Sequence, residues 1–286
     1  MSDDNTKPTK KGSLIIVGSG IEAIRQFTLE SREAVEQADK VLYHIPDEIS
    51  GIWISKINPN SESLLDCYVQ GKPRSDAYNE MTERTLRYVR QGLDVCVVYY
   101  GHPGVFVTPS HESIRRALAE GFRAKMLPGI SAEDCLFANL GIDPSTCGCQ
   151  SFEATYFLLH APRFDTSSHL ILWQIGTIGD TSYNPSRNLK PSVIVLADFL
   201  KKYYDPNHEV FLYEASQYVI CEPVIQRLAL SKLATAYITG ISTLYIPPKL
   251  TESFDLGMAN KLGLGSELKA TNFHFSFKKL LHFTGK

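Results

Sequence analysis

The stretch that most constrains this chain is Val95-Cys-Val-Val-Tyr-Tyr100, which stops abruptly at Gly101-His-Pro-Gly104. An unbroken, β-branched apolar run has no polar side to turn to water. It suits a strand covered on both faces, as strands of parallel sheets are. A second such run, Ser13 to Val17, ends at Gly18-Ser-Gly20. Between and beyond them the pattern alternates. Thr28 to Ala38 reads as a helix and Lys40 to Tyr43 as a strand. A helix capped by Ser75 or Asp76 runs to Arg90, with Gly92 where a C-cap glycine belongs. Ser110 opens another helix that ends at Gly121, and Ala124 to Leu127 is a further strand. Strands alternating with helices at this spacing predict βαβ units and a mainly parallel sheet, an α/β fold.

The second half changes texture. His169 to Gln174, Glu209 to Tyr213 and Ser242 to Ile246 read as strands. Leu196, Phe199, Leu200 and Tyr203 share one helix face, and Val224, Leu228 and Leu233 do so less cleanly. At about 150 residues per domain, 286 residues allow roughly two domains. The expected division is a disordered tail over 1–12, an N-terminal domain over 13–128, a C-terminal domain over 129–248, and a tail over 249–286. Pro247-Pro248 ends the second domain because paired prolines cannot continue a ladder.

Composition excludes several classes. Lys plus Arg is 29 and Asp plus Glu is 31, a net charge of −2, so no global basic excess points to nucleic acid. No apolar run is long enough to span a bilayer, and the Lys-rich start lacks the apolar core of a signal peptide. A cytoplasmic protein without membrane or nucleic-acid partners is expected. Of six cysteines, Cys67, Cys96 and Cys135 lie in apolar surroundings, and Cys147-Gly-Cys149 is the only close pair. A zinc site wants a second pair, so no metal is expected.

The loops carry the chemistry. Gly18-Ser-Gly20-Ile-Glu-Ala23 has the context of a dinucleotide fingerprint, but Ala23 replaces the third glycine and Glu22 would sit beside a pyrophosphate. Tyr99-Tyr-Gly-His-Pro-Gly104 presents bare backbone beyond the carboxyl end of a strand, where open α/β sheets bind ligands. With Leu127-Pro-Gly-Ile-Ser131, these loops resemble those of the tetrapyrrole methylase superfamily. Those are S-adenosylmethionine methyltransferases built of two α/β domains, with the active site in the cleft between them. The corrin and siroheme branches usually carry Gly-Pro-Gly-Asp after the first glycine turn. Gly20-Ile-Glu-Ala23 stands here instead, against a tetrapyrrole substrate.

Four longer segments are similar to borosin peptide backbone α-N-methyltransferases: Gly12 to Ile24; Tyr68 to Tyr78; Gly92 to His111; and Met126 to Ala138 with Ile142-Asp-Pro144. Thr243-Leu-Tyr-Ile-Pro-Pro248 closes the resemblance, which covers roughly Gly12 to Lys249. It implies iterative methylation of backbone amides in a ribosomally made precursor peptide. An amide nitrogen is a poor nucleophile because its lone pair is delocalised. Its proton must leave, and charge building on the carbonyl oxygen needs a donor. Tyr68, Arg74 and Tyr78 meet that description. Arg74 and Tyr78 are four apart and share one side if the helix starts near Ser75, and a guanidinium beside a phenol favours the phenolate.

The resemblance makes those three catalytic and puts Tyr100 at the methyl-transfer site. It assigns the S-adenosylmethionine site, which releases S-adenosylhomocysteine, to Tyr100, His102, Val105, Phe106, Ser131, Ala132, Gln174, Tyr213, Ser242 and Thr243. It further implies an intertwined homodimer, or a heterotetramer with the precursor. Fused borosin enzymes run on into an apolar core peptide. This sequence ends at Lys286, after an Asn272 to Phe283 stretch with no Val/Ile/Gly-rich core, so the split form with a separate precursor is expected. Alternatives are a tetrapyrrole or other small-molecule methyltransferase and a non-catalytic cofactor-binding scaffold.

Overall fold

A computed structural model describes residues 12–184, 190–249 and 255–263. The expected tails over 1–12 and 249–286 fall largely outside them. The chain forms two compact units. Of the described residues, the first gathers 12–136, 177–184 and 213–225, and the second gathers 137–176, 190–212, 226–249 and 255–263.

The first unit is built on β1 (Ser13–Gly18), α1 (Leu29–Gln37), β2 (Lys40–His44), α2 (Glu48–Ile57), β3 (Ser61–Ser63), α3 (Arg74–Arg90), β4 (Asp94–Tyr99), α4 (Thr108–Ala119) and β5 (Arg123–Met126), followed by α5 (Ala132–Leu140). Its sheet runs β3-β2-β4-β1-β5, and every neighbouring pair is parallel. Residues of β4 alternate between two cores, as a strand's period of two requires. Val95, Val97 and Tyr99 meet Met81, Leu86 and Val89 of α3 and Ala117 of α4. Cys96 and Val98 meet Val35 of α1 and Ile54 of α2. That is why the run has no polar face.

The second unit's sheet runs β6 (Cys149–Glu153), β7 (His169–Trp173), β10 (Thr243–Ile246), β8 (Glu209–Glu214) and β9 (Val224–Ala229). β6 pairs parallel to β7, and β10 pairs antiparallel to it. Helices α6 (Ala154–His160) and α7 (Lys190–Leu200) contribute Phe157 and Phe199, whose rings meet, and Phe157 also meets Phe164. A short α8 (Leu256–Lys261) follows β10.

Three expectations need correction. The weak helix face at Val224, Leu228 and Leu233 is instead strand β9 and a 3-10 turn, Leu230–Thr235. At this edge position a neighbouring strand supplies the backbone partners, so local periodicity does not decide. Helix α3 starts at Arg74 behind Pro73, without a side-chain cap from Ser75 or Asp76. Helix α4 starts at Thr108 with Pro109 in its first turn, where the missing N–H costs nothing.

The parallel strands end together at one edge, and glycines let the loops there close on one another. A Cβ on Gly18 would lie 2.1 Å from the Gly101 carbonyl oxygen and 2.9 Å from Pro103 Cδ. Gly71 has φ +79 but open space around it. Gly18→Ala should therefore cost about 1–3 kcal/mol through overpacking, and Gly71→Ala about 1 kcal/mol through backbone strain alone. Urea unfolding of both variants checks the ranking. Equal losses would show that the close approach at Gly18 is relieved cheaply.

Candidate active site

At the carboxyl edge of the first sheet, Ser19 N–H donates to the Tyr99 carbonyl at 2.8 Å, and Tyr100 N–H donates to the His44 carbonyl at 3.2 Å. Gly20 and Gly101 form an antiparallel bridge. This ties the first glycine loop to the Tyr-Gly-His-Pro-Gly loop. Gly101 at φ +72 turns the chain, and His102 Nδ1 accepts from Gly104 N–H at 2.9 Å. His102 therefore shapes its own loop. Val105 and Phe106 follow, 37% and 45% exposed, with Phe106 held at φ +56. Two apolar side chains exposed by a strained loop are a surface built for contact.

Ser131 and Ala132 begin α5. The Ser131 hydroxyl accepts from Glu133 and Asp134 N–H at 3.2 Å and donates to the Asp134 carboxylate at 2.9 Å. The hydroxyl is committed to that helix start. The glycine loop is likewise occupied: Gln26 Oε1 accepts from Ile21 and Glu22 N–H at 2.8 and 3.1 Å. Those amides are not left pointing at a phosphate, which removes the dinucleotide reading.

Tyr100 lies just past β4. Burial pushes its phenol up to about 12, and Gln217 Nε2 donates to its oxygen at 3.5 Å. Gln217 also accepts Ala23 N–H through its carbonyl at 2.9 Å. Gln217 thus links two loops by long-range contacts that no motif announced. Tyr213 is 1% exposed, and burial raises its phenol too, with small contributions from Cys135 and Tyr100. In the second unit, β7 and β10 pair so that Leu172 faces Leu244. Gln174 follows the end of β7, and Ser242 precedes Thr243, the first residue of β10. Gln174 sits at φ +59, and the Ser242 hydroxyl accepts Thr239 N–H at 2.9 Å.

Tyr68, Arg74 and Tyr78 also lie in the first unit. Tyr68 follows a 3-10 turn, Leu65–Cys67, Arg74 opens α3, and Tyr78 stands one turn later. The Tyr68 and Tyr78 rings meet edge to face at 6.3 Å. Burial holds the Tyr68 phenol well above its ordinary range, Tyr78 raises it further, and Arg74 pulls it back less strongly. The expected phenolate is therefore not what this arrangement favours: desolvation outweighs the guanidinium. Tyr68 is a phenol at neutral pH, able to donate to a developing oxyanion.

Sequence reasoning missed three neighbours. His44, at the end of β2, has its ring 5.1 Å from Tyr68 and 6.3 Å from Tyr99. The Tyr183 ring lies tilted against Tyr68 at 5.3 Å. Asp180 lies 3.6 Å from Arg74. Only the pairing of chain positions far apart reveals these. His44 Nε2, Tyr99 Oη and Arg74 Nε are buried without hydrogen-bond partners, a cluster of unspent polar capacity around Tyr68. Among the described residues, no group of three or more His, Cys, Asp or Glu could hold a metal. No described helix is long and apolar enough to cross a membrane.

Residues 13–216 match the family model of the Tetrapyrrole (Corrin/Porphyrin) Methylases. The chain belongs to this methyltransferase family. The crystal structure of a uroporphyrin-III C-methyltransferase from Thermus thermophilus is similar in fold, with a TM-score of 0.60 and 17% identity over 88% of this chain and 96% of that one. Sequence similarity is greater elsewhere in the family. The methyltransferase/ribosomally synthesized cyclic peptide gymnopeptides precursor of Gymnopus fusipes is 44% identical over 92% of this chain. The corresponding omphalotin A precursor of Omphalotus olearius is 42% identical over 91%. The chain spans 64% of the length of each of these two relatives.

Burial lowers the His44 imidazole to about 4, and a hydrogen bond with its own backbone opposes this only weakly. The unfolded chain takes up this proton near pH 6.5, and the folded chain resists until about 4. Stability is thus unaffected above pH 7 and falls as pH drops through that window. Relative to His44→Phe, the wild-type protein should lose up to about 3 kcal/mol between pH 6.5 and 4. Parallel unfolding curves against pH for the two proteins would show that His44 titrates normally.

Proposed function

We propose that this protein is a S-adenosylmethionine-dependent α-N-methyltransferase of peptide backbone amides, acting on successive amides of a ribosomally made precursor. The observation that carries the reading is the Tyr68, Arg74, Tyr78 cluster beside the Tyr100 to Phe106 loop, together with the precursor-bearing relatives. The loop fits a cofactor of this class. Exposed Val105 and Phe106 offer an apolar platform, and the Tyr100 ring can face a sulfonium. The family resemblance gives Gln174, Tyr213, Ser242 and Thr243 to the adenosine, and each carries a side-chain atom that can hydrogen-bond. When bound, S-adenosylmethionine supplies an electrophilic methyl group, and the nucleophile needs only to be aligned and stripped of its proton.

The chain's own residues divide that work. Arg74 and the Tyr68 phenol donate to the amide oxygen, where charge gathers as the N–H weakens. As a phenolate, Tyr78, whose ring meets Tyr68 edge to face, would take the amide proton and leave as the neutral phenol. Tyr100 holds the sulfonium side of the site. Neither His44 nor His102 is assigned a role as base. A homodimer enclosing a channel for an extended peptide would let one site reach successive amides. A precursor supplied as a separate chain is the form of substrate to offer first.

S-adenosylmethionine at about 100 times its Kd should add about 2.7 kcal/mol of stability and raise the melting temperature, whereas NAD should not. A larger shift with NAD would end the methyltransferase reading. With an apolar, Val/Ile/Gly-rich precursor peptide added, mass spectrometry should show increments of one methyl group on the peptide. Methylation of a porphyrinoid instead would favour the small-molecule alternative, and binding without turnover would favour the silent scaffold. Tyr68→Phe and Arg74→Ala should each slow single-turnover methylation strongly with cofactor binding nearly intact. Wild-type rates in either variant would refute the site assignment.

A further inference from the structure

The ion pair of Arg74 with Asp180 belongs to no motif in the sequence. Arg74 Nη2 lies 3.6 Å from Asp180 Oδ2, and the Asp180 side chain is only 9% exposed. A carboxylate so nearly buried is costly unless it is partnered. Its other oxygen is already occupied: Oδ1 accepts from Ser182 N–H at 3.1 Å and from the Ser182 hydroxyl at 3.4 Å. With Oδ1 held, Oδ2 is turned to the guanidinium.

The backbones beneath the pair are locked as well. Arg74 N–H donates to the Thr181 carbonyl at 3.0 Å, and Gly71 N–H donates to Tyr183 at the same distance. Tyr183 N–H returns a bond to Lys72 at 3.1 Å, and Pro73 and Ser182 form an antiparallel bridge. Residues 71–74 and 180–183 thus form a short two-stranded ribbon. It fixes both ends of the ion pair and also brings Tyr183 against Tyr68. A solvated surface pair has no such support, which is why most surface pairs contribute little.

We propose that Asp180 is a positioning residue for methyl transfer, its carboxylate holding the Arg74 guanidinium in the orientation that serves Tyr68 and the substrate amide. This rests on the role given to Arg74 above. Arginine has several rotatable bonds and a planar donor fork, so an unheld guanidinium would spread over many orientations. Anchoring one Nη on Asp180 leaves the remaining donors, including the unpartnered Nε, in a defined direction. Orientation of this kind is what a displacement reaction with a poor nucleophile needs most.

Asp180→Asn is the sharpest test. It keeps an oxygen for Ser182 but replaces the oxygen facing Arg74 with an amide that cannot accept from it. Single-turnover methylation of the precursor peptide should slow about 10- to 100-fold, with peptide KM and the cofactor-induced melting shift unchanged. In an Arg74→Ala background the same substitution should cost no further rate. Asp180→Ser, smaller and uncharged, serves as the second variant should Asp180→Asn fold poorly, and the same pattern is expected. A wild-type rate in the single variant, or an equal loss in both backgrounds, overturns the proposal. The four proteins of the cycle are also compared in urea, which needs no substrate. A coupling between positions 74 and 180 is expected there, and strictly additive losses would show that Asp180 does not hold Arg74. Arg74→Ala at the wild-type rate would instead refute the site assignment, while the urea cycle would still report on the pair.

Discussion

Backbone packed on backbone at the carboxyl edge of the first sheet is the constraint on which the site depends. Gly18, Gly101 and Gly129 approach so closely that a Cβ on Gly129 would lie 3.3 Å from both the Gly101 oxygen and Gly18 Cα. Three loops can meet there only because these side chains are absent. Their meeting brings the end of β1, the Tyr-Gly-His-Pro-Gly loop and the start of α5 to one place. The two-faced burial of β4 supplies the rigidity beneath, since Val95 to Tyr99 are at most 2% exposed. Strand ends held this firmly can present strained residues such as Phe106 without the loop relaxing.

Around Tyr68 two electrostatic effects compete, and burial wins. Arg74 alone would favour the phenolate, but the ring is enclosed by His44, Tyr78 and Tyr183. Removing water costs the charged form more than one guanidinium at the edge returns, particularly when Asp180 already engages that guanidinium. Tyr68 is therefore poised as a neutral donor beside one cation. That suits a reaction in which charge develops on an amide oxygen only as the methyl group transfers.

Much of the architecture was legible in the sequence. The runs at Ser13 to Val17 and Val95 to Tyr100, with their glycine punctuation, announced buried parallel strands. They appear as β1 and β4. Thr28 caps α1 as its chemistry suggests, accepting Ser31 N–H. The reading failed where local pattern and partner disagree. Val224 to Ala229 carries a mixed period, and a neighbouring strand made it β9. Helix α2 and strand β6 escaped notice because Ile49, Ile52 and Trp53 on one, and Gln150 to Phe152 on the other, show neither period cleanly.

The site divides in the same way. Tyr68, Arg74, Tyr78 and the loop from Tyr100 to Phe106 lie in continuous segments, so a family resemblance carried by those segments, with side-chain chemistry beside it, brought them forward. Residues at 44, 180, 183 and 217 stand far away in the chain and carry no motif. His44 reaches Tyr68 because β2 lies next to β4, and Asp180 and Tyr183 reach Arg74 and Tyr68 because a distant segment pairs with residues 71–74. The sequence by itself determined which groups are available and which strands must be buried, because periodicity and glycine chemistry are local properties. Tertiary structure alone decided which phenol keeps its proton and which carboxylate faces the arginine, because desolvation and charge pairing depend on neighbours brought from elsewhere in the chain.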